Sequence, residues 1–209
     1  MHIHTIPVGP FQMNCYILAD GQTDNCLIID PGDEPERLIT FIEEKGYKPQ
    51  RIINTHAHID HARRVADIQK HFDIPYYLGQ EDLPLLNTLT DQGRMFGLDT
   101  SEPPQISGFL KDGERFSLGS LSLSLLHTPG HSPGSFCVYT PGHVFVGDVL
   151  FRDSIGRTDL YAGNLETLLR SIREKLFILP DDTVVYPGHG PTTTIGYEKQ
   201  NNPFLNAAG

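Results

Sequence analysis

Tryptophan is absent from this 209-residue chain, cysteine and methionine occur three times each, and no apolar run reaches the roughly 18 residues that a membrane-spanning helix needs. The N-terminal stretch MHIHTIPVGPFQMNCYILAD has neither the basic segment nor the sustained apolar core of a secretory leader. A soluble, cytoplasmic protein is therefore expected. Three cysteines, Cys15, Cys26 and Cys137, are an odd number without CxxC spacing, which argues against a disulfide framework and a thiolate metal site. Each lies in an apolar, strand-like run, where a thiol is usually buried and structural. Positive charge is scarce too. Lys and Arg number 16 against 26 Asp and Glu, a formal net charge of −10, which repels nucleic-acid backbones and anionic lipid. Neither is expected as a partner. No GxSxG motif offers a serine nucleophile.

What is present reads as one α/β domain over residues 1–209, without a low-complexity tract or a long linker. IHTIPV, NCYILAD and NCLIIDPG are short apolar runs closed by Gly, Asp and Pro, the pattern of a β-meander. EPERLITFIEEKG then puts Leu38, Ile39 and Ile42 on one helical face and stops at Gly46. RIINTH predicts a strand, DHARRVADIQKHF a helix with Val65, Ile68 and Phe72 at helical spacing, and IPYYLG another strand. The middle is rich in Pro, Gly and polar residues and reads as a short helix and an irregular loop that flanks a substrate cleft. Strands resume at ERFSLGS, with Leu121, Leu123 and Leu125 alternating; NLETLLRSIREKLFIL predicts an amphipathic helix and TVVYPGHG a last strand and loop. The order is that of two similar halves.

THAHIDH, at Thr55 to His61, packs three histidines and an aspartate into one strand-to-helix turn. In extended chain, residues two apart point the same way, so His56 and His58 can face one ion while Ala57 faces away. Asp60 and His61, where the chain turns into the helix, can serve a neighbouring position, and this spacing suits two metals better than one. Further donors should come from other strand ends, and His131 in TPGHSPG, Asp148 in FVGDVLF and His189 in YPGHGP are glycine-flanked candidates. The shells would be His56, His58 and His131 on one ion and Asp60, His61 and His189 on the other, with Asp148 bridging. His127 can support a ligand from behind, and His2, His4, His71 and His143 read as edge-strand or solvated positions.

HxHxDH followed by GH, GD and a final GH resembles the metallo-β-lactamase fold superfamily. NCYIL, IIDPG, HTPGHSPGS, GDVLF, SIGRTD and YPGHGPTT resemble its hydroxyacylglutathione hydrolase (glyoxalase II) branch of the compact bacterial type. The resemblance implies an αββα sandwich, two β-sheets flanked by helices, with the site along one edge. It also implies a metal-dependent thioesterase that cleaves a substrate such as S-lactoylglutathione. Two divalent ions about 3.5 Å apart would share a hydroxide aimed at the carbonyl, with Asp60 orienting it. Zinc is implied by family analogy, while imidazole and carboxylate donors also suit iron or manganese. No separate C-terminal glutathione-binding domain is expected. Arg152, Arg157 and Lys199 are the cations expected to meet a carboxylate-bearing thiol, and Arg64, where relatives carry a smaller residue, is either a tuning or a solvated side chain. The alternatives are a mononuclear iron persulfide dioxygenase using His56, His131 and Asp148, and a lactonase or β-lactamase of the same superfamily.

Overall fold

The computed structural model describes residues 1–206. Three strands open the chain, β1 (His2–Val8), β2 (Met13–Ala19) and β3 (Asn25–Ile29), paired antiparallel. Helix α1 (Pro35–Glu44) follows, with Pro at its first turn, where a missing N–H costs nothing, and it buries Leu38 and Ile42. Strand β4 (Lys48–Ile53) then runs parallel to β3. Helices α2 (Ile59–Ala62) and α3 (Val65–Phe72) lead to β5 (Tyr76–Leu78), and helices α4 (Leu83–Asn87) and α5 (Leu89–Phe96) lead to β6 (Ile106–Phe109). These six strands form one sheet in sequence order.

The second sheet is built from β7 (Arg115–Leu118), β8 (Leu121–His127), β9 (Phe136–Thr140) and β10 (His143–Gly147), all antiparallel neighbours. A small hairpin, β11 (Leu150–Phe151) and β12 (Ser154–Ile155), precedes helix α6 (Leu165–Ser171), which continues into a π-helical turn at Ile172–Leu176. Strand β13 (Val184–Pro187) pairs parallel with β10, and β14 (Thr193–Thr194) completes the edge before helices α7 (Ile195–Asn201) and α8 (Pro203–Asn206).

Three apolar layers hold these parts together. Cys15, Ile17 and Ile28 on the outer face of the first sheet pack with Leu38 and Ile42 of α1 and Ile68 of α3. Tyr16, Leu18, Leu27 and Ile29 face inward and meet Leu123, Leu125, Val138 and Phe145 of the second sheet. The second sheet's outer face, through Val144, Val146 and Val185, packs with Leu168, Ile172 and Ile195. Helices, sheet, sheet and helices are thus stacked in the expected αββα order. Strand β2 is buried along its whole length on both faces, which is why MNCYILA reads as an apolar run without clean alternation. Each fully buried Ile or Leu contributes about 1.5–3 kcal/mol relative to an exposed one. The three cysteines are free and buried, as expected.

Three local expectations need correction. The helix expected across DHARRVADIQKHF is two helices, broken at Arg63 and Arg64. The Arg63 carbonyl, instead of continuing the helix, accepts from the backbone N–H and the hydroxyl of Ser101, and its guanidinium pairs with Asp33 and donates to the Asp99 carbonyl. The middle segment, expected as a short helix and an irregular loop, holds two helices and the edge strand β6, and the tail after YPGHGP folds as a strand and two further helices. Buried Glu198 organises that tail, accepting from the Thr193 hydroxyl and the Asn202 amide.

Candidate metal centre

Four chain segments meet at one end of the sandwich, and each follows the carboxyl end of a strand: residues 54–61 after β4, 128–135 after β8, Asp148 after β10 and 188–190 after β13. Strand ends converge there because both sheets send their loops to the same edge. The structure brings all seven expected side chains together in three groups that could each hold an ion. These are His56, His58 and His131; His56, His61 and Asp148; and Asp60, His61 and His189. Within the groups, His56 Nε2 lies 3.2 Å and His58 Nδ1 2.9 Å from His131 Nε2, and His189 Nε2 lies 3.0 Å from an Asp60 oxygen. Asp148 reaches into both halves, with oxygens 3.4 Å from His61 Nε2 and 3.7 Å from both His131 and His189.

The outer ring nitrogens explain the orientation of the inner ones. His131 Nδ1 donates to the Arg157 carbonyl at 2.8 Å and His189 Nδ1 to the Phe11 carbonyl at 3.1 Å. His61 Nδ1 donates to Asp30 at 3.0 Å. The Thr55 hydroxyl gives its proton to Asp30 at 2.7 Å and so accepts from His56 Nδ1 at 3.1 Å. A proton held on Nδ1 leaves the lone pair on Nε2 of a neutral ring, so His56 and His131 turn lone pairs toward one small space, while His61 and His189 turn Nε2 toward the oxygens of Asp60 and Asp148. Lone pairs 3.2 Å apart repel unless a cation lies between them. His58 Nε2, His61 Nε2 and Asp148 Oδ1 are buried without a hydrogen-bond partner, and orphaned buried polar atoms are what an absent ion leaves. Nitrogen and carboxylate donors without sulfur fit zinc, iron(II) or manganese. The residues present fit a metal pair.

Electrostatics point the same way. Burial, together with His131, pushes the His58 imidazole down to about 3, and burial with His61 depresses His56 well below the usual range. Burial opposes a proton on His61 as well, but Asp60, Asp30 and Asp148 override it and hold that ring well above the ordinary imidazole value. Asp148, despite its burial, is held well below the usual carboxylate range by His61 and His131. Asp60 and Asp148 are thus held as carboxylates against His61 and His189, while His56 and His58 are held neutral. Glycine makes the close approach possible. A Cβ on Gly188 would run into Asp148 Oδ1 and come within 2.8 Å of His61 Cε1, and Gly147, at φ +52°, lies against Thr55.

Two carboxylates that sequence reasoning missed hold the loops. Asp30 accepts from the Thr55 backbone N–H at 2.7 Å as well as from Thr55 and His61 side chains. Asp82 accepts from the Ala57 N–H at 2.9 Å, the Ser132 hydroxyl at 2.8 Å and the Gly134 N–H at 2.6 Å, tying the first histidine loop to the second. The signal for Asp30 was its place in IIDPG at a strand end; Asp82, in a polar stretch, has no local signal. His127 braces the same loop by bonding the Pro133 carbonyl at 3.0 Å. Of the three expected substrate-facing cations, Arg157 lines the cavity beside the site, whereas Lys199 pairs with Asp181 at 2.6 Å and Arg152 lies near Asp153 and over the Tyr197 ring. Neither of those two lines the cavity. Arg64 pairs with Asp67 at 2.7 Å on the helix surface.

A two-sheet sandwich with a histidine and aspartate cluster at its loop edge defines a class of metal-binding hydrolase. The chain belongs to the metallo-β-lactamase superfamily, whose family model matches residues 8–189. It is 43% identical over 216 residues to a hydroxyacylglutathione hydrolase, GloC, of Haemophilus influenzae, covering 99% of both chains. Among solved structures it is similar to the B3 metallo-β-lactamase BLEG-1, with TM-score 0.91 and 40% identity over 99% of this chain and 100% of that one. It is also similar to TTHA1623 in a di-iron-bound form, with TM-score 0.89 and 42% identity over 97% of this chain and 100% of that one.

Proposed function

We propose that this protein is a binuclear metal-dependent thioesterase of the glyoxalase II type, hydrolysing a thioester such as S-lactoylglutathione in the cytoplasm. The observation that carries this reading is a pair of separate donor groups, His56, His58 and His131 on one side and Asp60, His61 and His189 on the other, joined by a third made of His56, His61 and Asp148, which suits two ions better than one. Bound divalent ions would supply a water activated near neutral pH and Lewis-acid stabilisation of the oxyanion. His56, His58 and His131 would hold one ion, Asp60, His61 and His189 the other, and Asp148 both. Asp60, which lines the cavity, would also orient the attacking water. Asp30 and Asp82 keep the loops in register. A thiolate leaves readily, so a strong general acid is not needed beside the sulfur.

The likeness to the Haemophilus influenzae hydrolase supports the thioester over a β-lactam, and the di-iron relative supports a two-metal site while keeping iron beside zinc as the metal. A mononuclear dioxygenase would need only His56, His131 and Asp148 and would leave His58, Asp60, His61 and His189 without a role. The test pairs metal analysis of purified protein with thiol release from S-D-lactoylglutathione. About two ions per chain and steady release are expected; one iron per chain, oxygen uptake with glutathione persulfide and no release would overturn the reading.

A further inference from the structure

A cavity of about 610 Å³ opens onto His58, Asp60, Asp148 and His189, a size that holds a drug-sized ligand. Away from those polar groups its walls are apolar. Phe11, Leu85, Met95, Phe96, Leu160 and Tyr161 line it, drawn from the β1–β2 turn, from α4 and α5, and from the loop before α6. Met95 is 82% exposed, Tyr161 57% and Phe96 56%. Phe11 and Phe96 meet edge to face with ring centroids 5.7 Å apart. Three separate segments thus send large apolar side chains into water at the mouth of one reactive site. Such exposure is unfavourable unless something covers it.

Charge narrows what that is. Among the described residues lining the cavity, Arg157 is the one guanidinium or ammonium. Both arms of its fork go to Asp159, at 2.7 and 2.8 Å, so its charge is matched. The chain carries a net charge of −10, and a thiol with two free carboxylates, such as glutathione, would find no unpaired lysine or arginine among the described residues lining the cavity. Cellular thiol carriers are polar, so the apolar part of a thioester is its acyl group.

Resting on the thioesterase reading, we propose that the cavity selects thioesters of an apolar acyl group, a medium-length alkyl or an aryl chain, and is nearly indifferent to the thiol. The reaction is ordinary hydrolysis. Water oxygen bonds to the carbonyl carbon, the carbon–sulfur bond breaks with its electron pair going to sulfur, and the thiolate takes up a proton, giving a carboxylic acid and a free thiol.

The test is a series of acetyl, butanoyl, hexanoyl and phenylacetyl esters, each made on N-acetylcysteamine and on glutathione, assayed by thiol release with metal-loaded protein. A buried methylene is worth about 4-fold. With partial burial kcat/KM should rise roughly 10- to 100-fold from acetyl to hexanoyl on either thiol. Phe96→Ser and Tyr161→Ser, at exposed positions where folding is not at stake, should each lower the hexanoyl-to-acetyl ratio by about 3-fold or more. In parallel, calorimetry follows binding of ketone analogues in which CH₂ replaces the ester sulfur. Hydrolysis of all esters without chain-length dependence, or a clear preference for glutathione, overturns the proposal and leaves the thioesterase reading standing. Chain-length-dependent binding of the ketones with no ester hydrolysed overturns the thioesterase reading and supports the apolar site. A dimer in sedimentation that Met95→Lys dissociates would assign the rim to a second copy and overturn the proposal.

Discussion

His58 shows why the candidate centre depends on single side chains. It stands 2.9 Å from His131 through one ring nitrogen while the other is buried and unpartnered. His58→Ala should therefore lose one ion and reduce turnover by at least about 100-fold, read by metal analysis and thiol release on the same preparation. Asp82 is not one of the seven candidate ligands, yet it accepts from three donors on two histidine loops. Its replacement by Ala leaves those donors unpaired and should cost about 2–4 kcal/mol in urea unfolding, with metal affinity lowered about 10- to 100-fold. An unchanged midpoint and unchanged affinity would remove Asp82 from any positioning role. Lys199, paired with Asp181 outside the cavity, serves as a contrast: its removal should leave KM unaltered.

The break between α2 and α3 is an element-level consequence of one buried ion pair. Arg63 and Asp33 are both largely buried, and the pair joins the helix junction to the loop after β3. Removing one partner strands a buried charge, so Arg63→Met alone should destabilise by about 3–5 kcal/mol, while Arg63→Met with Asp33→Leu should recover most of that loss. Thermal melts of the two variants check this. The amphipathic pattern of DHARRVADIQKHF conveyed the buried face correctly, because Val65 and Ile68 are buried. It could not convey the break, because helical periodicity carries no record of a carbonyl diverted to a loop 38 residues away. The tail helices were illegible for a similar reason: they are held by Glu198, which accepts from the distant Asp153 backbone N–H, and by Leu205 in the apolar layer on the second sheet, rather than by local propensity.

Acid and metal should compete for the molecule as a unit. His56 and His58 are depressed, so their neutral forms stabilise the fold above the ordinary imidazole value, and that stability drains away as pH falls from about 6.5 towards about 3. His61 and His189 are raised, so their contribution is complete below about 6.5 and fades as pH rises through their folded values. Metal-stripped protein should be most stable near neutrality and lose on the order of 2–3 kcal/mol through His58 alone by about pH 4.5. Denaturant titrations of chelated protein across that range check this. Loading with metal should raise the midpoint and release protons from the His61 side, visible as buffer-dependent heat in calorimetry.

HxHxDH and its three later partners were legible as chemistry because donor identity and short-range spacing are written locally. Apolar runs likewise revealed most of the strands and helices in order, since burial on one or both faces leaves its mark residue by residue, whereas the two-sheet sandwich was implied by the family resemblance alone. The convergence of His131, Asp148 and His189 on that turn, the carboxylates Asp30 and Asp82 behind it, and the apolar cavity beside it depended on how strands distant in sequence lie side by side. No local pattern encodes which loops share an edge. Pairing of β10 with β13 brings Asp148 beside His189, packing of one sheet on the other brings both to His61, and the arginine that meets the cavity is the one whose loop happens to close it.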